Sequence, residues 1–243
     1  MEPIYRQTFT LSNMHVDCFG RAKPSVLLYF AQEVAGQHCT ALSVDLKGKA
    51  LFWAVIRHRV QVTRLPVLGE TITVETWPMP TTRVAYPRSV VAYDERGNEV
   101  FRAISLWVLM DTQTRAMILP GKSGIAVPGT VRGTELAVPN SLVPHTHCNR
   151  SFRTVGYTEL DINGHVNNTR YMDWVDDLLP SAYHQNHCIR EFTVCYLSEA
   201  REGQQLQLDW ELSEGPVLQV DAHRKHPDDP EKTERVFSVQ AQY

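Results

Sequence analysis

DINGHVNNTRYMDW, from Asp161 to Trp174, is the stretch whose reading decides the rest. Asp161, Asn163 and His165 stand at alternate positions, and an extended segment would turn all three to one face. Asn167 and Asn168 follow, either of which can cap a helix. Beyond them Tyr171, Trp174 and Leu178, flanked by Met172, Val175 and Leu179, recur at helical period until Pro180. The polar groups then lie at a helix entrance, where free N–H groups and the positive end of the dipole favour developing negative charge. An oxyanion site beside a positioned base is the chemistry this pattern predicts.

Working outward, the same order of elements occurs twice. Residues 5–16 read as a strand; Asp17 and Gly20 turn the chain, and Pro24 suits the first position of a helix. On that helix Leu27, Ala31, Val34, Ala35 and His38 share a face, while Val26, Leu28, Tyr29 and Phe30 leave little polar surface elsewhere, the mark of a buried helix. Strands are predicted at Phe52–Arg64, Thr71–Trp77, Val84–Tyr93 and Val100–Asp111, separated by Gly69, Pro78–Pro80 and Asp94–Glu99. Prolines and glycines then crowd residues 119–144 without any sustained period. After them come a strand over Cys148–Tyr157, the opening stretch with its helix, and strands near Cys188–Leu197, Gln205–Glu211, Val217–His223 and Glu234–Gln242. Asp17-Cys-Phe-Gly-Arg-Ala22 parallels Asp161-Ile-Asn-Gly-His-Val166, and Gly69 before Trp77 parallels Gly203 before Trp210. A buried helix followed by antiparallel strands, repeated, is an α+β arrangement in which each sheet wraps a long central helix. The expected division is 1–119, a linker over 120–147, and 148–243. Where the second copy has Asn163 and His165 the first has Phe19 and Arg21, so one active site is expected, in the second half.

Composition narrows the function. Apolar residues make up 43% of the 243 and the net charge is −3, which implies neither a nucleic-acid partner nor a membrane surface. No apolar run approaches a membrane span, and the start lacks the basic and apolar regions of a signal peptide or a Ser- and Arg-rich transit segment. Five scattered cysteines without a C-x-x-C pair fit a reducing cytoplasm.

Other chemistries compete for these residues. Asn163-Gly164 is an ordinary tight-turn dipeptide, and Asp161 alone would serve as a turn cap. A calcium loop fails because the Gly falls at the fourth position and Met172 replaces the bidentate Glu. Glu199 ends the strand after the helix; it is either solvated or, beside the helix mouth, a general base for water. The Gly-Lys-Ser at 121–123 follows Met-Ile-Leu-Pro rather than a Gly-rich loop, which excludes a phosphate loop. His145, His147, Cys148, His184, His187 and Cys188 match no zinc spacing and read as surface residues, so no metal and no cofactor is expected. No G-x-S-x-G elbow is present. Arg57, His58, Arg59 and Arg64, with Arg83 and Arg88, read as solvated faces or as a patch for an acidic carrier.

The stretch from Glu159 to Trp174, with its Asp-x-Asn-x-His-x-Asn-Asn-x-x-Tyr core, resembles the acyl-ACP thioesterases of plants and bacteria, as does Trp107-Val-x-Met-Asp-x-x-Thr-Arg115. The resemblance implies two tandem hot-dog units and hydrolysis of the thioester between a fatty acyl chain and acyl carrier protein. It implies that Asp161, Asn163, His165 and Glu199 are catalytic, and that Leu27, Phe30 and Val34 line an acyl pocket in the first half, with Asn167 and Asn168 near the thioester. Many relatives have a Cys directly after that Glu; here it is Ala200, and Cys195 lies four residues before Glu199 where strand alternation cannot substitute it. Water is therefore the expected attacking group. A bacterial protein, monomer or homodimer, is expected. A hot-dog dehydratase for 3-hydroxyacyl-ACP and a non-catalytic acyl-thioester-binding protein are the competing readings.

Overall fold

The computed structural model describes residues 3–42, 44, 46, 48–226 and 229–243. The chain forms two compact units, one ending at Pro139 and the other spanning Asn140–Tyr243. In the first, β1 (Tyr5–Thr10) leads to helix α1 (Pro24–Ala41), then to β2 (Leu51–Val62), β3 (Thr71–Pro78), β4 (Tyr86–Asp94) and β5 (Glu99–Asp111). A two-residue strand, β6 (Met117–Ile118), and the four-residue helix α2 (Pro120–Ser123) follow. Pro24 begins α1 with its fixed φ and without a needed N–H. The helix lies on β1 and β3, with the rings of Phe9 and Phe30 4.5 Å apart. Its apolar residues reach nearly all round, and Leu27, Phe30 and Val34 are wholly buried. All strands of this unit are antiparallel, in the order β1-β3-β4-β5-β2.

The second unit repeats that order. Strands β7 (Asn149–Thr154), β8 (Glu191–Tyr196), β9 (Gln205–Leu212), β10 (Val217–His226) and β11 (Asp229–Gln242) pair antiparallel as β7-β9-β10-β11-β8. Connections repeat as well. Gly69 N–H bonds the Leu11 carbonyl at 2.9 Å, and Gly203 N–H bonds the Val155 carbonyl at 3.0 Å. The α+β repeat expected from the sequence is present, with one difference. The second central helix, α3 (Arg170–Asp176), has seven residues, and α4 (Ser181–Asn186) takes over after Pro180. Asp176 and Asp177 stand at the negative end of α3's dipole, and Pro180 cannot donate to a continuing turn, so the helix stops early. Its apolar face still fills the core: Tyr171 packs on Phe237 with centroids 4.6 Å apart and on Trp174 at 5.1 Å.

Residues 120–147 have little regular structure but are fixed at both ends. Trp77 donates to Glu135 at 3.0 Å and Arg57 to the Pro139 carbonyl at 3.1 Å, both in the first unit. In the second, His147 Nε2 meets Asp221 at 2.9 Å. The His147 side chain is thus sheltered rather than at the surface, and His58 and Arg88, among the basic residues read as solvated, are buried.

Burial of His58 on β2 lowers its pKa from 6.5 to about 3, so the ring is neutral in the fold. The unfolded chain takes up a proton below about 6.5, whereas the folded chain does so only near 3, and stability must fall as pH drops through that window. Thermal unfolding between pH 7.5 and about 4 should therefore show a steeper loss in the native protein than in His58→Leu; parallel slopes would contradict this assignment.

Candidate active site

The site is built on a turn. Gly164 takes a positive φ of 73°, which a side chain opposes, and the chain reverses between Leu160 and Val166, which form an antiparallel bridge. One carboxylate oxygen of Asp161 accepts the N–H groups of Asn163 at 2.8 Å and His165 at 3.2 Å. The Asp161 N–H donates to the His165 carbonyl at 2.7 Å, and the other carboxylate oxygen accepts the Asn163 amide at 3.3 Å. The alternation of Asp161, Asn163 and His165 is therefore not that of an extended strand. An Asp-nucleated turn gathers the three groups instead, so the tight-turn reading of Asn163-Gly164 is also correct.

Two connections bring the acid to the imidazole. The Val166 N–H bonds the Ala200 carbonyl at 2.9 Å, laying the residues after β8 against the turn. Arg224 on β10 then holds those residues from behind: it donates to the Glu199 carbonyl at 2.6 Å and the Ser198 hydroxyl at 2.9 Å, and pairs with Glu234 at 3.0 Å. His165 Nε2 consequently lies 3.2 Å from Glu199 Oε2, with the imidazole side chain 12% exposed and the carboxylate 41%. Water reaches the acid while the ring is sheltered. Below them burial pushes the Tyr171 phenol well up, despite a bond from the Ala200 N–H, so this hydroxyl stays neutral.

The helix entrance is fixed by Glu159. Its carboxylate accepts the Trp174 indole N–H at 2.7 Å, Arg153 at 2.6 Å and the Gly156 N–H at 2.8 Å, and its carbonyl accepts the Asn167 N–H at 2.8 Å. Burial raises the Glu159 pKa, but these donors outweigh it and hold the carboxyl below its usual range. Asn167 accepts the Thr169 N–H through its side chain at 3.0 Å, a turn bond just before α3; neither Asn167 nor Asn168 caps the helix, whose N-cap is Thr169 without a side-chain bond. Of the N–H groups at this entrance, those of Val166 and Asn167 are therefore engaged; that of Asn168 has no partner among the described residues.

Leu27, Phe30 and Val34, expected to line an acyl pocket, are core residues with no exposed surface. The cavity of about 220 Å³ in the first unit opens on another face of α1, at Gln32, Ala35, Gly36 and Cys39. Cys195, behind the site on β8, is buried and accepts the Leu142 N–H through sulfur at 3.4 Å. Among the described residues no three His, Cys, Asp or Glu side chains cluster as metal ligands, and no helix is long and apolar enough to cross a membrane.

The first unit carries the same turn without the chemistry. Asp17 accepts the N–H groups of Phe19 at 2.8 Å and Arg21 at 2.9 Å, Gly20 has φ 75°, and Ala22 N–H bonds the Pro66 carbonyl at 2.7 Å. By these bonds Arg21 stands where His165 does and Leu65 where Glu199 does. Arg21 folds back on Asp17 at 3.1 Å.

Residues 2–119 match the acyl-ACP thioesterase N-terminal domain and residues 145–235 the C-terminal domain. The chain belongs to the acyl-ACP thioesterase family. Relatives in this family include the dodecanoyl-[acyl-carrier-protein] hydrolase of Cinnamomum camphora, 27% identical over 84% of this chain and 58% of that protein. The palmitoyl-acyl carrier protein thioesterase of Gossypium hirsutum is 25% identical over 84% of this chain and 54% of its own length. The chain thus spans little more than half the length of these relatives. Among solved structures, an acyl-ACP thioesterase from Bacteroides thetaiotaomicron superposes with a TM-score of 0.85 at 24% identity, covering 99% of this chain and 97% of that one. The 12:0-ACP thioesterase from Umbellularia californica gives 0.82 at 23%, covering 100% and 97%. These likenesses place the fold of both units among acyl-ACP thioesterases.

Two supporting residues were not anticipated, Glu159 and Arg224. Glu159 had a sequence signal, its place at the head of the motif three residues after a glycine, the spacing of a helix-start carboxylate. Arg224 had none, because its partners lie on other strands.

A side chain at Gly164 would meet no atom within 4 Å, so substitution there tests backbone strain alone. Gly164→Ala should lower stability by about 1–2 kcal/mol, and Gly164→Asn by less, since Asn tolerates positive φ. Urea unfolding of the two variants checks this; an equal loss for both would mean that φ is not the constraint.

Proposed function

We propose that this protein hydrolyses the thioester of fatty acyl-acyl carrier protein, releasing the free fatty acid. The observation that carries the reading is the 3.2 Å pairing of His165 Nε2 with Glu199 Oε2 beside the Asp161–Asn163 turn. Glu199 and His165 form an acid–imidazole pair in which the ring N–H faces the carboxylate and the solvent-accessible acid receives water. Water attacks the carbonyl carbon, its proton passes to the pair, and the carbonyl oxygen becomes an oxyanion. The Asn163 amide, with one N–H on Asp161 and the other free to point at substrate, and the Asn168 N–H supply donors. One such donor is worth ~3 kcal/mol in the transition state. Collapse breaks the carbon–sulfur bond, and the departing thiolate takes the proton back. A thiol with a pKa of about 8.5 leaves readily, so attack rather than departure needs the greater help. Asp161 acts through Asn163 and His165, whose main chain it fixes.

Ala200 occupies the position after the acid, so the nucleophile is water rather than a thiolate there. Five scattered cysteines without a C-x-x-C pair support a reducing, cytoplasmic setting. Acyl carrier protein is the carrier we assign, through its phosphopantetheine arm.

Thiol release from saturated acyl-ACP and acyl-CoA of several lengths, measured with the native protein, tests the reaction. Release from acyl-ACP is expected; a dehydratase cannot process a chain lacking the 3-hydroxyl, and a binding protein releases no thiol. His165→Ala and Glu199→Ala should each lower turnover by ~100-fold or more without unfolding the chain. Full activity in both would remove these residues from the reaction.

A further inference from the structure

Asn163-Gly164 is the one Asn-Gly pair in the sequence, and Ile162, Asn163 and Gly164 are all exposed. An asparagine before glycine can react with its own chain. The Gly164 nitrogen gives up its proton to solvent and bonds the Asn163 side-chain carbonyl carbon. The bond to the amide nitrogen breaks, and ammonia leaves. Water then opens the imide ring at either carbonyl, so the sum is amide plus water to acid plus ammonia. Glycine is the favourable successor because no side chain hinders the attacking nitrogen.

The fold ties both reacting groups to one residue. The Gly164 N–H donates to the Asp161 carbonyl at 3.0 Å, which engages the nucleophile. The Asn163 amide donates to Asp161 Oδ2 at 3.3 Å, drawing the electrophilic carbon back toward residue 161 and away from the nitrogen that follows it. Asp161 Oδ1 accepts the Asn163 N–H at 2.8 Å and the His165 N–H at 3.2 Å, which fixes the peptides on either side. Ring closure needs these bonds to open. Packing adds nothing to the restraint, since a side chain at Gly164 would meet no atom within 4 Å.

We infer that Asn163 is a self-modification site, where the chain converts its own amide to an acid, and that Asp161 restrains the conversion. Either product changes the turn. Opening the ring one way leaves an aspartate, a second carboxylate against Asp161 with no N–H to give. Opening it the other way routes the backbone through the side-chain carbon and lengthens the turn between Asp161 and His165 by a methylene. The modification stands independently of the hydrolytic reading; only its effect on turnover rests on that reading.

The intact protein, held at mildly alkaline pH in native buffer or in denaturing guanidinium chloride, tests the inference through mass spectrometry of its tryptic peptide Thr154–Arg170. Asn167 and Asn168, followed by Asn and Thr, are internal references and should stay unchanged. Asn163 should convert in denaturant and at least about tenfold more slowly in native buffer, the margin of one hydrogen bond to a charged acceptor. Asp161→Ala should raise the native-buffer rate by about tenfold or more. Asp161→Asn, which keeps one acceptor oxygen, should fall between the two and carries the test should the alanine variant fail to fold. Gly164→Ala should slow conversion in denaturant, where a methyl beside the nitrogen hinders attack. Equal rates in native buffer and denaturant, no conversion in denaturant, or Asp161 variants no faster than the native protein would overturn the inference. Thiol release from acyl-ACP, followed in the same samples, should fall in step with conversion. Conversion with full activity retained would remove Asn163 from the reaction and leave the modification standing.

Discussion

A single backbone hydrogen bond, from the Val166 N–H to the Ala200 carbonyl, sets the separation between His165 and Glu199. The two residues come from segments with no covalent reason to be close: a turn before α3 and the residues that leave β8. Strand pairing brings those segments near one another, this bond sets their register, Arg224 holds the Glu199 side of it, and each side chain follows from the residue next to it. A shift of one residue along either segment would turn one of the pair away.

Around that bond the charged residues are used for posture. Asp161 has no cation partner in the turn and uses its oxygens to accept two main-chain N–H groups and an amide. Glu159 gathers an indole, a guanidinium and a backbone N–H at the start of the helix. Arg224 meets a carbonyl, a hydroxyl and two side-chain oxygens on its far side. Satisfied polar networks of this kind hold a reacting pair in place at little reorganisation during chemistry, which is what preorganised catalysis requires.

Much of this was legible in the chain. The repeated Asp-x-x-Gly turns, the strand patterns and the residues Asp161, Asn163, His165 and Glu199 were read from spacing, periodicity and family resemblance, because each is a local signal. Other features were not. Alternating polar residues look the same in a strand and in a turn stapled by Asp161, and only the φ of Gly164 separates them. The short α3 depended on acids at its C-terminal end, which a count of apolar positions ignores. Leu27, Phe30 and Val34 lie on the helix face that the sheet covers, whereas the cavity opens on a neighbouring face; both are apolar, so sequence cannot rank them. Arg88 was read as exposed because arginine nearly always is, and its burial is decided by partners on α1 and β3.

The twin of this turn in the first unit, with Arg21 and Leu65 in place of imidazole and acid, has a consequence for heredity. Had the protein been a symmetric pair of identical polypeptides, each codon change would appear in both subunits at once. Tandem joining lifts that bond between siblings. One half is free to gather polar groups such as His165 and Glu199 while the other changes on its own, and neither trade compromises its counterpart.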